Sequence, residues 1–338
     1  MTSVRPGPTI ASIASELGLS VPTVSKVLNG RADVAPATRD RVEAALERHQ
    51  YRRRRPATAP AGTGLIDLVF HQLGSAWSME IIRGVEDAAA EARISVILSE
   101  LGGEHRPPAR WLDTTIARPP LGVLLVAANL SDGQHQQLDR RNIPYVVIDT
   151  DGEPPADVAS VGSDNWNGGL AATRHLLALG HRRIAMITGP WDMLCSRARV
   201  DGFRSAHEEA GAVVDPALVR EGNFYVEAGF DQGLDLLSLP DRPTAVFAGS
   251  DMQALGVLRA AHQLGLRVPE DLSVVGYDDL PLASWVGPPL TTVRQPLGEM
   301  GAAATQILLD IARGRSPKVR RLNLSTELVV RDSTAPLT

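Results

Sequence analysis

The sequence predicts a small all-α helix-turn-helix headpiece joined to a larger α/β core of two doubly wound parallel sheets, and three observations carry that expectation. Residues 9–49 hold three short amphipathic helical stretches separated by turn residues. From Pro56 to Gly64 the chain turns to Pro, Ala, Thr and Gly, a composition that cannot form a core and marks a linker. Beyond it, short β-rich runs alternate with helical stretches, as in βα units stacked into parallel sheets. At about 100–200 residues per domain, 338 residues should hold two or three units.

In the first unit, Ile10, Ile13, Ala14 and Leu17 recur at the three, four and seven spacing of one helix face, with Thr9 placed to cap its start. Gly18 can take the left-handed conformation that ends a helix. Ser20 then caps a second helix over residues 20–28, whose first turn tolerates Pro22 and whose inner face carries Val24, Val27 and Leu28. Val21, Pro22, Thr23, Ser25 and Lys26 stay outside. Small side chains near a helix N-terminus can approach base edges in the major groove, while hydroxyls, Lys26 and the helix end can hold phosphates. A third stretch, residues 36–49, buries Val42, Ala45 and Leu46 and leaves Arg39, Arg41 and Arg48 outside. This is the layout of a DNA-reading helix-turn-helix; an ordinary three-helix packing unit is the alternative.

Charge supports the first reading. The net charge is −5, yet residues 1–64 hold ten Lys and Arg against five Asp and Glu, leaving 24 against 34 for the rest. Only the N-terminal piece is composed to meet a polyanion. Arg52, Arg53, Arg54 and Arg55 close it with four consecutive cations that suit phosphate neutralisation, although a charge run also suits a solvated linker. The single cysteine, Cys195, excludes an internal disulfide framework and fits a reducing cytoplasm. No signal-peptide run opens the chain, and nowhere do about 18 apolar residues follow one another, which points away from a membrane.

The run from Ile10 to Ala14 and from Gly18 to Gly30, followed by Thr38-Arg39-Asp40-Arg41-Val42 and Tyr51, resembles the headpiece of the lactose/galactose repressor (LacI/GalR) family of bacterial regulators. Thr9, Ser20, Val21, Pro22, Thr23, Ser25, Lys26, Asn29, Arg39 and the arginines at 52–55 are the DNA-binding candidates. In that family the linker usually carries a short helix whose leucine wedges into the minor groove. Between Arg52 and Gly64 there is no leucine, and Pro56 and Pro60 interrupt any helix, so a phosphate or minor-groove grip by the arginines is the expectation here.

In the body, residues 65–70, 95–100, 122–127, 145–148, 184–187, 245–247 and 273–275 read as strands. Residues 78–92, 134–141, 165–179, 196–210, 226–237 and 251–264 read as helices. Leu121 to Val126 shows no alternation and should be a central strand covered on both faces. The resemblance extends to about Arg331 through Val161-Gly162-Ser163-Asp164-Asn165, Ala248-Gly249-Ser250-Asp251 and Val274 to Asp279 running into Pro288 to Pro296. It implies a two-lobed core similar to periplasmic binding proteins. The expected division is a headpiece at 1–51, a linker at 52–64, lobe one at 65–162 plus 292–331, lobe two at 163–291 and a tail at 332–338. Crossings between lobes are expected near 163, 249–250 and 287–292.

Open α/β sheets bind ligands outside the carboxyl ends of their strands, where Asp149, Asp164, Arg199, Ser250, Asp251 and Asp278 fall. Carboxylates accept from vicinal hydroxyls, arginine donates through a fixed fork, and aromatic faces stack on sugar rings. The resemblance singles out Arg199, Ser250 and Asp278, with Trp77, Trp166, Phe224 and Trp285 as candidate walls. Asp251 reads first as a helix cap, capping is the alternative for Asp164, and each tryptophan suits packing as well as stacking. Cys195 reads as a small apolar packing group. His71, His175 and His181 are too scattered for a metal site, and no cofactor is expected.

The resulting expectation is a cytoplasmic, nucleoid-associated homodimer that binds operator DNA and is released by a sugar, of di- or oligosaccharide size, bound between the lobes. The chain lacks the leucine-heptad tail that makes tetramers in some relatives. A purine-type corepressor-dependent regulator and a sugar- or nucleoside-acting enzyme are the alternatives; the absence of a Gly-x-Ser-x-Gly elbow, a P-loop and a GxGxxG after the first strand weighs against the enzyme.

Overall fold

A computed structural model of the chain describes residues 9–28, 33–49, 51, 64–102, 106–149 and 155–337. The first three helices form as their capping chemistry dictates. The Thr9 hydroxyl accepts the Ser12 N–H at the start of α1 (Ile10–Leu17), and Gly18 ends it at φ +65°. The Ser20 hydroxyl accepts the Thr23 N–H at 3.2 Å as α2 (Val21–Leu28) begins. Helix α3 (Pro36–Arg48) closes the unit, and Arg41 donates to the Leu17 carbonyl at 3.1 Å, so this outward arginine ties α3 to the end of α1. Ile13, Ala14, Val24, Val27, Leu28, Val42, Ala45 and Leu46, all on the faces the periodicity assigns inward, make one small core with Val34 and Tyr51, while Ile10 and Leu17 pack against it partly buried.

The core runs β1 (Leu65–Phe70), α4 (Ala76–Glu91), β2 (Ser95–Glu100), α5 (Ala109–Ala117), β3 (Gly122–Val126), α6 (Asp132–Arg140), β4 (Tyr145–Ile148) and β5 (Ala159–Ser163). It continues through α7 (Asn165–Ala178), β6 (Ile184–Thr188), α8 (Leu194–Glu209), β7 (Val219–Glu221), α9 (Val226–Leu237), β8 (Ala245–Ala248), α10 (Asp251–Gln263) and β9 (Ser273–Asp278). The last elements are β10 (Thr291–Arg294), α11 (Leu297–Ala312), β11 (Arg321–Leu324) and β12 (Glu327–Val329). Two six-stranded sheets result, ordered β11-β5-β4-β3-β1-β2 and β12-β10-β9-β8-β6-β7. Every pairing is parallel except β10 with β12. Strand β3 is buried throughout, as its unbroken apolar run requires. Helix α5 lies outside the sequence reading although Trp111, Leu112, Thr115 and Ile116 mark its inner face.

The lobe boundaries differ from the expectation. Strand β10 pairs with β9, Thr291 opposite Val275, so residues 291–294 belong to the second sheet. After α11 and β11 return to the first sheet, β12 rejoins the second. The crossing that the resemblance implies near residues 287–292 is instead a turn inside lobe two, between β9 and β10 of one sheet. Residues 249–250 likewise join β8 to α10 within that lobe, so the crossings fall at β5–α7, β10–α11 and β11–β12. Residues 332–337 are no loose tail: buried Ser333 donates to the Val274 carbonyl and accepts the Thr291 N–H, and the Leu337 N–H bonds the Leu179 carbonyl.

Helices α7 and α8 cross with their backbones touching. A Cβ at Gly202 would lie 2.2 Å from the Trp166 carbonyl oxygen, and one at Gly169 would lie 2.3 Å from the carbonyl oxygen of Arg199. Among the described residues no helix is long and apolar enough to cross a membrane. Gly202→Ala should force α7 and α8 apart and cost about 1–3 kcal/mol of stability, read by urea unfolding; a variant as stable as the parent would contradict the tight crossing.

Candidate functional site: the cleft between the lobes

Strand ends of both sheets converge on a cavity of about 170 Å³. Lobe one supplies Phe70 from the end of β1, Gln72, Trp77 on the first turn of α4, Ala127 after β3 and Asp149 after β4. Lobe two supplies Met193, Arg199 on α8, Phe224 and Tyr225 before α9, Ser250 before α10 and Asp278 at the end of β9. Ala127, Asp149, Phe224 and Asp278 hold positive φ of +49°, +50°, +69° and +116°. Four strained non-glycine residues around one cleft show the surrounding sheets imposing their backbone, as at ligand clamps.

Arg199 organises the floor. Its Nε donates to Asn165 Oδ1 at 2.8 Å, its Nη1 donates to the Gly249 carbonyl at 2.5 Å, and its guanidinium lies 3.7 Å from the Tyr277 ring centroid. The Phe224 ring centroid lies 5.4 Å from the same guanidinium. Burial raises the Asp149 carboxyl above its ordinary range, and the Arg199 cation pulls it part of the way back. Burial likewise raises Asp278, opposed by Arg199 and by Gln295 Nε2, which donates to Asp278 Oδ1 at 2.6 Å. Ser163 Oγ in turn donates to Gln295 Oε1, so the pocket carboxyl is linked by side chains to the lobe crossing at the end of β5. Burial pushes the Cys195 thiol up to about 12, which leaves it an apolar wall.

Of the sequence candidates, Trp77, Asp149, Arg199, Phe224, Ser250 and Asp278 line this cavity. The Ser250 hydroxyl accepts the Gln253 N–H at 3.1 Å as the cap of α10 and donates to the Phe224 carbonyl at 2.8 Å, so it positions an aromatic wall. Asp164 and Trp166 lie elsewhere. The Asp164 carboxylate caps α7 through the Asn167 N–H and amide. Trp166 is 40% exposed because Asn165, bonded to Arg199, takes the inward direction at that turn, and adjacent helical residues point about 100° apart. Trp285 is 80% exposed and walls nothing. Asp251 is neither cap nor lining residue: fully buried, it accepts from the Leu280 N–H and the Thr292 hydroxyl, tying β9 and β10 to α10. Gln72, Asn223, Tyr225 and Met193 are lining residues that sequence reasoning missed. Their one available signal was position just after β1 or just before α8 and α9.

In the headpiece, Thr9, Ser20, Val21, Pro22 and Lys26 are exposed, while Thr23, Ser25 and Arg39 are half-buried. Lys26 pairs with Asp33 at 2.6 Å. The Thr9 and Ser20 hydroxyls are engaged with backbone N–H groups, so their first role is capping. Asn29, the arginines at 52–55 and the linker they open lie outside the described residues.

Residues 9–54 match bacterial regulatory proteins of the lacI family, and residues 173–334 match a periplasmic binding protein-like domain. The chain is 33% identical over 336 residues to the HTH-type transcriptional repressor CytR of Escherichia coli K12, covering 97% of each. A transcriptional regulator CelR–cellobiose complex is similar at 36% identity and a TM-score of 0.74, over 96% of this chain and 99% of that one. A lac repressor dimer bound to operator and the anti-inducer ONPF is similar at 28% identity and a TM-score of 0.72, over 98% and 100%.

The raised carboxyls give the cleft a pH signature. With the folded value above the unfolded one, the native state holds protons that the unfolded chain has released. This contribution is full below about pH 4 and is lost as pH rises through the raised native value. The stability of the ligand-free protein relative to Asp278→Asn should therefore fall between about pH 4 and pH 8, measured by urea unfolding. A difference flat across that range would contradict the assignment.

Proposed function

Since the chain belongs to the lacI family of bacterial regulatory proteins, it is a DNA-binding transcriptional regulator, and we propose that it represses carbohydrate-utilisation genes until a di- or oligosaccharide binds between its lobes. The observation that carries this reading is the cleft itself. Phe70, Trp77, Phe224 and Tyr225 offer faces for the apolar side of a sugar ring, while Asp149, Asp278 and Arg199 offer acceptors and a donor for its hydroxyls. The similar CelR complex holds cellobiose, which makes a β-linked disaccharide the first ligand to try.

In this reading the headpiece, residues 1–51, reads half of a roughly palindromic operator with Val21, Pro22, Thr23, Ser25 and Lys26 on α2, and the linker at 52–64 joins it to the core. Effector and operator favour different lobe arrangements, so each changes the affinity of the other by the same factor. The site binds and performs no chemistry. A homodimer completes the reading: edge strand β2 exposes Ile97 and Leu98, and Met79 on α4 is 54% exposed, apolar surface that a second copy would cover.

A thermal-shift screen of cellobiose, other disaccharides, ribose and purine bases should show a shift with a saccharide, since a ligand selective for the native state raises apparent stability by mass action. A shift with purines alone would replace the sugar reading with corepression. Trp77→Ala should weaken the identified saccharide about tenfold or more, equivalent to about 1.4 kcal/mol, by titration calorimetry. Light scattering at micromolar concentration should give the mass of a dimer; a tetramer would contradict the assembly.

A further inference from the structure

The first sheet places one end of lobe one on the headpiece side. The strands β1, β3, β4, β5 and β11 run parallel with their starts level: Ile66 opposite Gly122, Val123 opposite Tyr145, Val146 opposite Ala159 and Ser160 opposite Arg321. The chain arrives from the headpiece at the start of β1, so every loop from a helix end to a strand start in this lobe lies at that same end.

The core as a whole is acidic, with 24 Lys and Arg against 34 Asp and Glu in residues 65–338, yet its charge is not spread evenly. The loop from α11 into β11 reads Arg313-Gly-Arg315-Ser-Pro-Lys318-Val-Arg320-Arg321, five cations with no carboxylate among them, and all five are exposed. Arg315 reaches Asp310 at 2.5 Å and Arg320 donates to the Asp157 carbonyl at 2.7 Å, which braces the loop; with Asp139 and Asp157 lining the groove beside Arg315 and Arg320, the five cations meet three neighbouring carboxylates. The headpiece adjoins this end through its acidic flank. Glu43 and Glu47, one turn apart on α3, lie 3.8 Å from Arg141 and 3.6 Å from Arg140 at the end of α6. Helix α6 leads into β4, two strands from β11, which puts the basic loop about 10 Å to the side of that pairing.

Resting on the regulator reading above, we infer that the loop at 313–321 is a second DNA-contacting surface, which neutralises duplex phosphates beside the ground covered by the headpiece. A grip of this kind carries no sequence information; it adds affinity for any duplex and steepens the salt dependence of binding. It also places part of the hold on DNA on lobe one itself, so a movement of that lobe against its neighbour reaches the duplex directly as well as through the linker.

The test is a salt titration of the full-length protein on a random-sequence 40-base-pair duplex and on its own upstream promoter fragment, from about 50 to 200 mM salt. The comparison is among the parent, the triple variant R313Q/R315Q/K318Q and a lobe-two control, R174Q/R204Q/R267Q, with the same change in net charge. The triple variant should weaken both duplexes and make the slope of log affinity against log salt shallower by about 3, near one for each cation withdrawn from a phosphate. The control should keep the parent slope, and all three proteins should melt together. A parent slope in the triple variant would overturn the inference and leave the regulator reading intact, as would an equal change in the control, which would mean net charge alone acts. A parent protein that binds neither duplex would overturn both.

Discussion

The structure turns on one buried cation. Arg199 sits where α7 and α8 touch backbone to backbone, bonded to Asn165 on one side and to the Gly249 carbonyl on the other, with Tyr277 and Phe224 as its faces. A guanidinium so placed is tolerable only because acceptors, rings and carboxyls surround it, and unpairing it would leave a charge in an apolar interior. The glycines at 169 and 202 follow from the same constraint, since any side chain there would push the helix that carries Arg199 out of register with its partners.

From that cation the polar network extends toward the crossings between lobes. Asp278 takes a hydrogen bond from Gln295, Gln295 takes one from Ser163, and Ser163 ends the last strand of lobe one before the chain enters lobe two. The residues that would meet a ligand and the residue at which the chain crosses between lobes are therefore joined by two side-chain hydrogen bonds. Asp251 performs a parallel task within lobe two, holding the ends of β9 and β10 against α10. A ligand hydroxyl competing for the Asp278 carboxyl bears on the crossing directly, which gives the cleft a physical route to the relative placement of the lobes.

Much of this was legible in one dimension wherever a short-range rule decided the outcome. The headpiece followed from caps and periodicity, and all three helices begin and end within a residue of the expected positions. The parallel sheets followed from unalternating apolar runs. Six of the ten cleft candidates line the cavity, among them Asp149, Ser250 and Asp278, which stand just at or after strand carboxyl ends, where open α/β sheets present side chains. Asp164 and Trp166 were misplaced for one shared reason: both stand at the right strand end, but the rotation of the first turn of α7 sends Asn165 inward and turns the other two away.

By itself the sequence determined the local elements, the segregation of positive charge toward the N-terminus and the type of chemistry at each strand end, since each depends on residues a few positions apart. Only the tertiary structure decided which lobe owns β10 and β12, that residues 332–337 brace the second sheet, that Ser250 serves Phe224, and that a basic loop near residue 318 shares an end with the headpiece. Those outcomes depend on strand order and register, which bring together residues from 16 to more than 150 positions apart. No local pattern encodes such pairings, because their energies exist only once the sheets have formed.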